Sequence, residues 1–550
     1  MRRGHVTDEG DDFMGNRVSR MIGGAAIAGL AASALLAVPA GADPDNDTPR
    51  KLTRAVTVDG VLEHLAALQA ISDANGGNRA AGLPGYEASR DYVVDRMEAA
   101  GYRTTVQEFE FPFFDENSEL ERISPEPRVY DEGSEFIRNQ FDSGTPEGEA
   151  TAPLVNVDLV IPPGPVNSSS SGCDEADWAG FPAGGIALMQ RGTCGFAVKA
   201  LNAQAHGAAG AIIMNEGQPG RTGLIGMIGD ATGLTIPVVN ATFEAGASLA
   251  AVAGSTVRVL VEFTADTRLA WNVLAETQRG NDSEVVMAGA HLDSVQDGAG
   301  INDNGTGSAA LLEVAEQMAR VRPKNTVRFA WWGAEEEGLL GSEHYVANLT
   351  EQEIADIALY LNFDMIGSPN YTFGIYDGDN SGGTAPPDFI PPGSAEIEDV
   401  FEAFYASRRL PFTDTEFSGR SDYGPFIAVD IPAGGLFTGA EVPKTAEEAA
   451  IFGGVAGAQV DPCYHSFCDN LRGDGQNAAL YDQLREDYDL VGNVNRGALD
   501  VNSDAVADAV IRFAFNTSTV RDARQAGAGP AAAAARAAAT GHAGAEAVAA

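Results

Sequence analysis

Positive charge is scarce in this chain. Lysine occurs only at positions 51, 199, 324 and 444. The sequence has 35 Lys and Arg residues against 78 Asp and Glu residues, which gives a net charge of −43 at pH 7. A surface this negative excludes nucleic acids and anionic membranes as partners, because both would be repelled. Adaptation to salt and the codon bias of a GC-rich genome both account for this composition.

Long apolar runs are absent after the amino-terminal region. No segment beyond residue 42 has the roughly 18 continuous apolar residues that span a bilayer. Residues 1–42 have the pattern of a signal peptide: a basic stretch at 14–20, an apolar segment at 21–38, and the cleavage motif Ala40-Gly41-Ala42. An uncleaved membrane anchor is the alternative, and either Met1 or Met14 could be the start. We expect a secreted, extracellular protein.

Cysteine is also rare, with four residues in two pairs, Cys173 with Cys194 and Cys463 with Cys468. Each pair can close a short loop in an oxidising compartment, so we predict two disulfides. A cysteine-ligated zinc site is the alternative, but neither pair has the two-residue spacing of a zinc knuckle. The second bridge would brace the loop that contains His465.

Changes in composition along the chain indicate the domain organisation. At 550 residues the chain is long enough for two domains. Residues 55–125 and 265–515 are expected to form one domain in two parts, interrupted by residues 130–262, which are rich in Gly, Ala, Val and Ile. Residues 522–550 are almost wholly Ala and Gly, and we expect a disordered tail there.

Metal-binding side chains follow three apolar runs. His291 follows the run at residues 285–290, and Asp364 follows the run at residues 357–363. Glu335 and Glu336 come shortly after the run at residues 326–332. An open α/β sheet collects its active site at the carboxyl ends of such strands. With Asp303 and His465, these residues supply one imidazole and one terminal carboxylate for each of two divalent metals, and one bridging carboxylate.

The local motifs resemble those of metallopeptidase family 28, in particular its secreted bacterial di-zinc aminopeptidases. The motifs occur in order along the chain: His291-Leu-Asp-Ser-Val, Gly300-Ile-Asn-Asp303-Asn-Gly-Thr-Gly, Phe329-Ala-Trp-Trp-Gly-Ala-Glu-Glu336, Tyr360-Leu-Asn-Phe-Asp364-Met-Ile-Gly and Cys463-Tyr-His465. Residues 130–262 are similar to a protease-associated domain, most clearly at 183–218. The resemblance implies an α/β fold with a mixed, eight-stranded central sheet between helices and an inserted small α/β domain.

The resemblance and the side-chain chemistry together predict a ligand set for two zinc ions. Asp303 would bridge the ions, His291 and Asp364 would bind one of them, and His465 and Glu336 would bind the other. Neutral imidazole and carboxylate oxygen are both good zinc ligands. A calcium site cannot be identified from the sequence.

Four further residues are expected to act around the metals. Glu335 would be the general base for a water molecule that the two ions activate, and Tyr464 would point its hydroxyl at the developing oxyanion. Asp293 fits an acceptor that orients the imidazole of His291. Arg420 matches a family position near the amino end and carbonyl group of the substrate, although it could equally form a loop ion pair with Asp422.

These predictions describe a monomeric aminopeptidase that acts on peptides and proteins with a free amino terminus. Related secreted enzymes often favour large apolar amino-terminal residues such as leucine. A carboxypeptidase or a glutaminyl-cyclase-like acyltransferase on the same scaffold is the alternative. Relatives that bind a substrate carboxylate need a basic pocket, and this chain has few basic residues near its motifs. A non-catalytic binding protein is the third hypothesis.

Overall fold

The computed structural model describes residues 46–138, 146–218, 221–224, 229–386 and 389–527. In these residues the chain forms fourteen α-helices, a 3-10 turn at Glu175–Trp178 and an irregular π-type turn at Ile301–Thr306. The helices are α1 Pro49–Ala55, α2 Val58–Ala74, α3 Pro84–Ala100, α4 Phe196–Ala205, α5 Phe243–Ala251, α6 Gly307–Met318, α7 Leu340–Ala347, α8 Glu351–Asp356, α9 Ser394–Arg408, α10 Tyr423–Ala428, α11 Ala446–Phe452, α12 Ala478–Asp487, α13 Arg496–Phe515 and α14 Ser518–Gly527.

The described residues also form sixteen strands, of which β15 and β16 make a separate hairpin. The strands are β1 Arg103–Ser124, β2 Arg128–Tyr130, β3 Phe136–Arg138, β4 Gly148–Asn156, β5 Ile186–Gln190, β6 Gly210–Met214, β7 Val238–Ala241, β8 Thr256–Glu276, β9 Val285–His291, β10 Thr326–Trp332, β11 Ile357–Phe363, β12 Gly374–Tyr376, β13 Thr413–Thr415, β14 Ala433–Phe437, β15 Leu490–Val491 and β16 Val494–Asn495.

Fourteen of the strands are linked in one hydrogen-bonded network that contains two sheets. The larger sheet has eight strands, in the order β13, β12, β14, β11, β9, β10, β8 and β1, and the short strand β2 pairs with β1. The central strands β14, β11, β9 and β10 are parallel, whereas β12 pairs with β14, β8 pairs with β10, and β1 pairs with β8 in antiparallel register. This mixed eight-stranded sheet confirms the predicted fold class.

Alternating side chains of the central strands pack on the two faces of this sheet. Val286 and Ala288 of β9 belong to the core formed with α2, α3, α6, α9 and α13, whereas Val285 and Met287 belong to the core formed with α7 and α10. Successive side chains of a strand point to opposite faces, so a strand covered on both sides must be apolar at every position. The continuous apolar runs in the sequence therefore reflect burial between two layers of helices.

A long antiparallel ribbon joins this sheet to a second one. Strands β1 and β8 pair from Arg103↔Glu276 to Ser124↔Thr256. At its far end β8 pairs with β4, which begins a smaller sheet in the order β4, β5, β6, β7 and β3, with β4 to β7 mutually parallel. The smaller sheet has its own apolar cores, formed with helices α4 and α5.

Several segment boundaries differ from the sequence-based predictions. Strand β8 runs through the expected junction at residues 262–265, whereas β1 ends at Ser124, next to the expected end of the first part at residue 125. These two paired strands connect the two sheets. Helix α1 begins at Pro49, before the expected start of the first domain at residue 55.

The expected disordered tail at 522–550 is wrong for residues 522–527, which belong to α14. Arg521 and Arg524 hold this helix in place by donating hydrogen bonds to the carbonyl oxygens of Ala355 and Ile357, at 2.6 and 2.7 Å. Residues 528–550 and the expected signal peptide at 1–42 lie outside the described residues. Within the described ranges, no helix combines the length and apolar character needed to cross a membrane.

Candidate metal centre

Three strands bring metal-binding side chains to one edge of the large sheet. His291 is the last residue of β9, Asp364 directly follows β11, and Glu335 and Glu336 lie in the turn after β10. Strands β10, β9 and β11 are parallel neighbours, so their carboxyl ends meet at the same edge. Gly289 lets β9 pass close to its neighbours, because a Cβ atom there would lie 2.5 Å from the hydroxyl oxygen of Tyr360.

Two loops contribute the remaining candidate metal ligands, Asp303 and His465. Asp303 lies in the irregular turn before α6, where its backbone leaves helical geometry at φ −104° and ψ 99°. His465 lies between Cys463 and Cys468, whose disulfide bond is formed as predicted, as is the bond between Cys173 and Cys194. His465 has a left-handed backbone, with φ 51°, which a non-glycine residue adopts only when its surroundings impose it.

The five side chains form two groups that share Asp303. In the first group, Nε2 of His291 lies 3.3 Å from Oδ1 of Asp303 and 3.4 Å from Oδ1 of Asp364. In the second, Nε2 of His465 lies 3.3 Å from Oδ2 of Asp303 and 3.0 Å from Oε2 of Glu336. Each group could hold one metal ion, and the two oxygens of the Asp303 carboxylate face different groups.

The hydrogen bonding of these side chains fits a metal site. Both ring nitrogens of His291, Oε1 of Glu336 and Oδ1 of Asp364 are buried and have no hydrogen-bond partner in the described part of the chain. Leaving buried polar atoms unpaired is costly, so such a concentration at one place indicates a cation as the partner. One imidazole nitrogen and two carboxylate oxygens in each group suit zinc.

Electrostatic interactions at the site are strong. Burial lowers the pKa of His465, but the Glu336 and Asp303 carboxylates outweigh burial and raise it to about 11. Burial, followed by the negative charges of Asp364 and Glu336, raises the pKa of Glu335 well above its ordinary value, against the opposing effect of His291. A carboxylate with a raised pKa at a cluster of this kind is suited to taking up and releasing protons.

Asp293 lies behind the site, but it contacts different atoms from those expected. Its Oδ1 is 3.7 Å from Nδ1 of His291, which is too long for a hydrogen bond. Instead, its two carboxylate oxygens accept hydrogen bonds from the backbone N–H groups of Glu335 and Glu336, both at 3.2 Å. Asp293 therefore holds the turn that presents the two glutamates.

Tyr464 and Arg420 lie at the open side of the site. The Tyr464 ring stacks on His465, with ring centroids 3.8 Å apart. Burial and the neighbouring carboxylates raise the pKa of Tyr464, which keeps its hydroxyl protonated. Nη1 of Arg420 pairs with Oε1 of Glu441 at 2.9 Å, and both side chains are partly exposed. The ion pair that Arg420 forms is therefore with Glu441, while Asp422, the alternative partner in the sequence, is buried.

Arg79 is a site residue that sequence reasoning missed. Its fully buried guanidinium donates to the carbonyl oxygens of Leu292, Ala299 and Gly300, the last two at 2.8 and 2.6 Å. It thereby ties together both ends of the loop between His291 and Asp303. An isolated arginine in a turn is ordinarily exposed, and no motif in the sequence distinguishes this one.

Asp422, which the sequence offers as a loop ion-pair partner of Arg420, is also buried. Burial raises its pKa to about 7. Its neighbour Ser421 donates a hydrogen bond of 2.6 Å to Oδ2 of Asp364, so this loop supports one of the carboxylates in the first group.

Comparisons with known proteins agree with this geometry. Residues 272–481 match the model of peptidase family M28, and residues 150–249 match that of the PA domain. An aminopeptidase of Pseudomonas aeruginosa is 45% identical over 482 residues, which cover 86% of this chain and 84% of that protein. Leucine aminopeptidase 2 of Trichophyton tonsurans is 37% identical over 473 residues, covering 85% of this chain and 86% of the fungal protein.

Solved structures show the same architecture. An aminopeptidase from Aneurinibacillus sp. strain AM-1 has a TM-score of 0.50 and 25% identity, covering 84% of this chain and 95% of its own. A zinc aminopeptidase from Bacillus subtilis has a TM-score of 0.54 and 22% identity, covering 83% and 95%. The chain therefore belongs to peptidase family M28 and is a hydrolase of the aminopeptidase type, as its resemblance to the zinc-dependent members of that family predicted.

Proposed function

We propose that this protein is a secreted di-zinc aminopeptidase with its reaction centre at the two groups that share Asp303. His291 and Asp364 would hold one ion, and His465 and Glu336 would hold the other. Asp303 would bind both ions. The observation that carries the proposal is the pair of three-residue groups, in which several buried ligand atoms have no hydrogen-bond partner among the residues that the structure describes. Zinc, when bound, acts as a Lewis acid and lowers the pKa of a coordinated water.

The protein's own residues supply the proton transfers. Glu335 belongs to neither three-residue group, yet its Oε2 lies 3.8 Å from Nε2 of His291. From this position its carboxylate would accept a proton from the attacking water and pass it to the leaving amine. Tyr464 keeps its proton and donates a hydrogen bond to the oxygen on which negative charge develops. Arg420, paired with Glu441, would lie near the amino end and the carbonyl group of the substrate.

The charge of the site selects the amino end of a peptide. Glu335, which is not a metal ligand, favours a free ammonium group, and the chain has few basic residues near its motifs that could bind a free carboxylate, which opposes a carboxypeptidase activity. A preference for large apolar amino-terminal residues is supported by the leucine aminopeptidase name of the fungal relative. Phe467 is consistent with it, because this side chain is 61% exposed two residues after His465.

Secretion is supported by two kinds of observation. Both cysteine pairs form disulfide bonds, which persist in oxidising compartments outside the cytosol. Residues 1–42 have the sequence pattern of a cleaved signal peptide. The mature enzyme would then consist of the peptidase sheet, contributed by residues on both sides of the insertion, and the inserted PA domain.

Metal content tests the proposal directly. The purified protein should contain about two zinc ions per chain by elemental analysis. Asp303→Ala should lose both ions, because its carboxylate faces both groups. Asp297→Ala is the matched control: it removes an exposed acid from the same loop and should keep the parent zinc content. A single zinc ion in fully active protein, or normal zinc content in Asp303→Ala, would contradict the shared site.

A further inference from the structure

Two buried aspartates flank the disulfide loop that presents His465. Asp461 precedes Cys463 and Asp469 follows Cys468, and their exposed fractions are 0% and 2%. Neither belongs to the two metal groups. Buried carboxylates require hydrogen-bond donors, so the donors around this pair reveal what the two side chains hold together.

Most of these donors come from the loop that carries Asp303. Asp461 accepts a hydrogen bond of 2.6 Å from the side-chain amide of Asn302, and one of 2.8 Å from the backbone N–H of Cys463. Asp469 accepts from the backbone N–H groups of Asn302 and Asp303, at 2.8 and 3.0 Å. The two aspartates therefore connect the His465 loop to the backbone of the shared carboxylate residue.

One further side chain joins the two aspartates to each other. The amide nitrogen of Asn493, in the turn between β15 and β16, lies 3.0 Å from Oδ1 of Asp461 and 2.8 Å from Oδ1 of Asp469. Its oxygen accepts a hydrogen bond of 2.5 Å from the hydroxyl of Tyr481, which orients the NH2 group towards the carboxylates. Asn493 is fully buried, and its backbone N–H is bonded to the carbonyl oxygen of Asn470 at 2.9 Å.

We propose that Asn493 is a positioning residue for the metal site, which fixes His465 relative to Asp303 by holding Asp461 and Asp469 together. This inference rests on the proposed function, because it assumes that His465 and Asp303 bind the same ion. The residue lies beyond the segment 272–481 that matches the family model. Within the described residues, its hydrogen bonds go to Asp461, Asp469, Tyr481 and Asn470 rather than to the five ligand side chains, so it acts through the two aspartates.

The conformation of His465 explains why its loop needs to be attached to the turn that carries Asp303. A left-handed backbone is unfavourable for a histidine, so the loop would relax if its ends were free to move. The disulfide ties Cys463 to Cys468, but it does not tie the loop to the turn at residues 301–306. The aspartates make that second connection, and the NH2 group of Asn493 keeps their two carboxyl groups at hydrogen-bonding distance from a common donor.

Asn493→Asp tests the proposal with almost no change in shape. The substitution replaces the shared donor with a third carboxylate, so Asp461 and Asp469 should separate. Zinc affinity, measured by titration against a competing chelator, should fall about 10- to 100-fold, as for other residues that support metal ligands. The kcat at saturating zinc should stay close to the parent value, because bound metal restores the positions of the ligands.

A matched control and a milder variant accompany it. Asn477→Asp makes the same chemical change at the exposed cap of α12, where aspartate caps a helix equally well, and should leave zinc affinity unchanged. Tyr481→Phe removes the hydroxyl that orients Asn493 and that also lies 3.2 Å from Sγ of Cys463. It should weaken zinc binding in the same direction but by a smaller factor. This variant keeps the test informative if Asn493→Asp does not fold.

The possible outcomes separate this proposal from the proposed function. Parent-like zinc affinity in folded Asn493→Asp and Tyr481→Phe, with or without a lower melting temperature, would overturn the positioning role. Asp303→Ala, measured in parallel, reports on the metal site itself. If Asp303→Ala loses its zinc while the Asn493 and Tyr481 variants keep theirs, only the positioning role is wrong.

Discussion

The buried Arg79 guanidinium should be one of the most sensitive positions for the stability of this enzyme. It donates to three carbonyl oxygens of the loop between His291 and Asp303, and none of its surface is exposed. Replacing it with methionine fills much of the same volume but removes all of these donors. The three carbonyl groups would then be buried without partners.

The expected cost follows from this count of acceptors. A buried polar group left without its partner costs about 1–3 kcal/mol, so three of them cost roughly 3–9 kcal/mol. Folded proteins are stable by only about 5–15 kcal/mol in total, so Arg79→Met should lose most of its stability. Arg79→Lys should lose roughly half as much, because the ammonium keeps the charge but cannot reach three separately placed carbonyls.

Urea unfolding followed by tryptophan fluorescence measures this effect, because Trp331 and Trp332 are fully buried beside the site. Zinc should be kept saturating, so that loss of metal does not contribute. Arg472→Met is the matched control: Arg472 pairs with Asp73 and Asp474 at the surface, where ion pairs contribute about 0–1 kcal/mol. If Arg79→Met is destabilised no more than this control, the account of the buried guanidinium is wrong.

Two further predictions concern the reaction. Glu335→Gln should keep its zinc and lower kcat by about 10²- to 10⁴-fold, because an amide cannot accept a proton. Glu336→Gln should instead lose zinc more readily. The reverse pattern would show that the two roles are exchanged. Leucyl-p-nitroanilide should be cleaved, and its acetylated form at least about ten- to a hundredfold more slowly, because a charged contact of about 1.5–3 kcal/mol is lost. Equal rates would contradict recognition of the free amino group.

The ligand-bearing strands could be predicted from the sequence because their signal is local. Each of the runs before His291, Glu335 and Asp364 is apolar at nearly every position, which only a strand covered on both faces requires. The parallel pairing of these strands then brings their ends together without further information. The two disulfides were also predictable, because short spacings in a chain with four cysteines left few pairings.

The supporting residues could not be predicted because their partners are distant in sequence. Arg79 contacts carbonyl groups more than two hundred positions away, and Asn493 contacts Asp461 and Asp469, which do not differ in the sequence from the many surface acids of this chain. Asp293 was expected to orient a histidine, but backbone N–H groups that no sequence pattern indicates compete for its oxygens. Pairings of this kind depend on tertiary packing.

The paired strands β1 and β8 also determine how the PA domain is attached. Phe111 and Arg268 are cross-strand neighbours, so the chain leaves the peptidase sheet and returns to it at adjacent backbone positions, about 4.5–5.5 Å apart. In topological terms the whole insertion is the tip of one extended β-hairpin. A short turn, or a different domain with closely spaced ends, could therefore replace it without displacing the strands that carry the metal ligands. We therefore expect the peptidase scaffold to tolerate large changes in the inserted segment, because any replacement only has to connect the two paired strand ends.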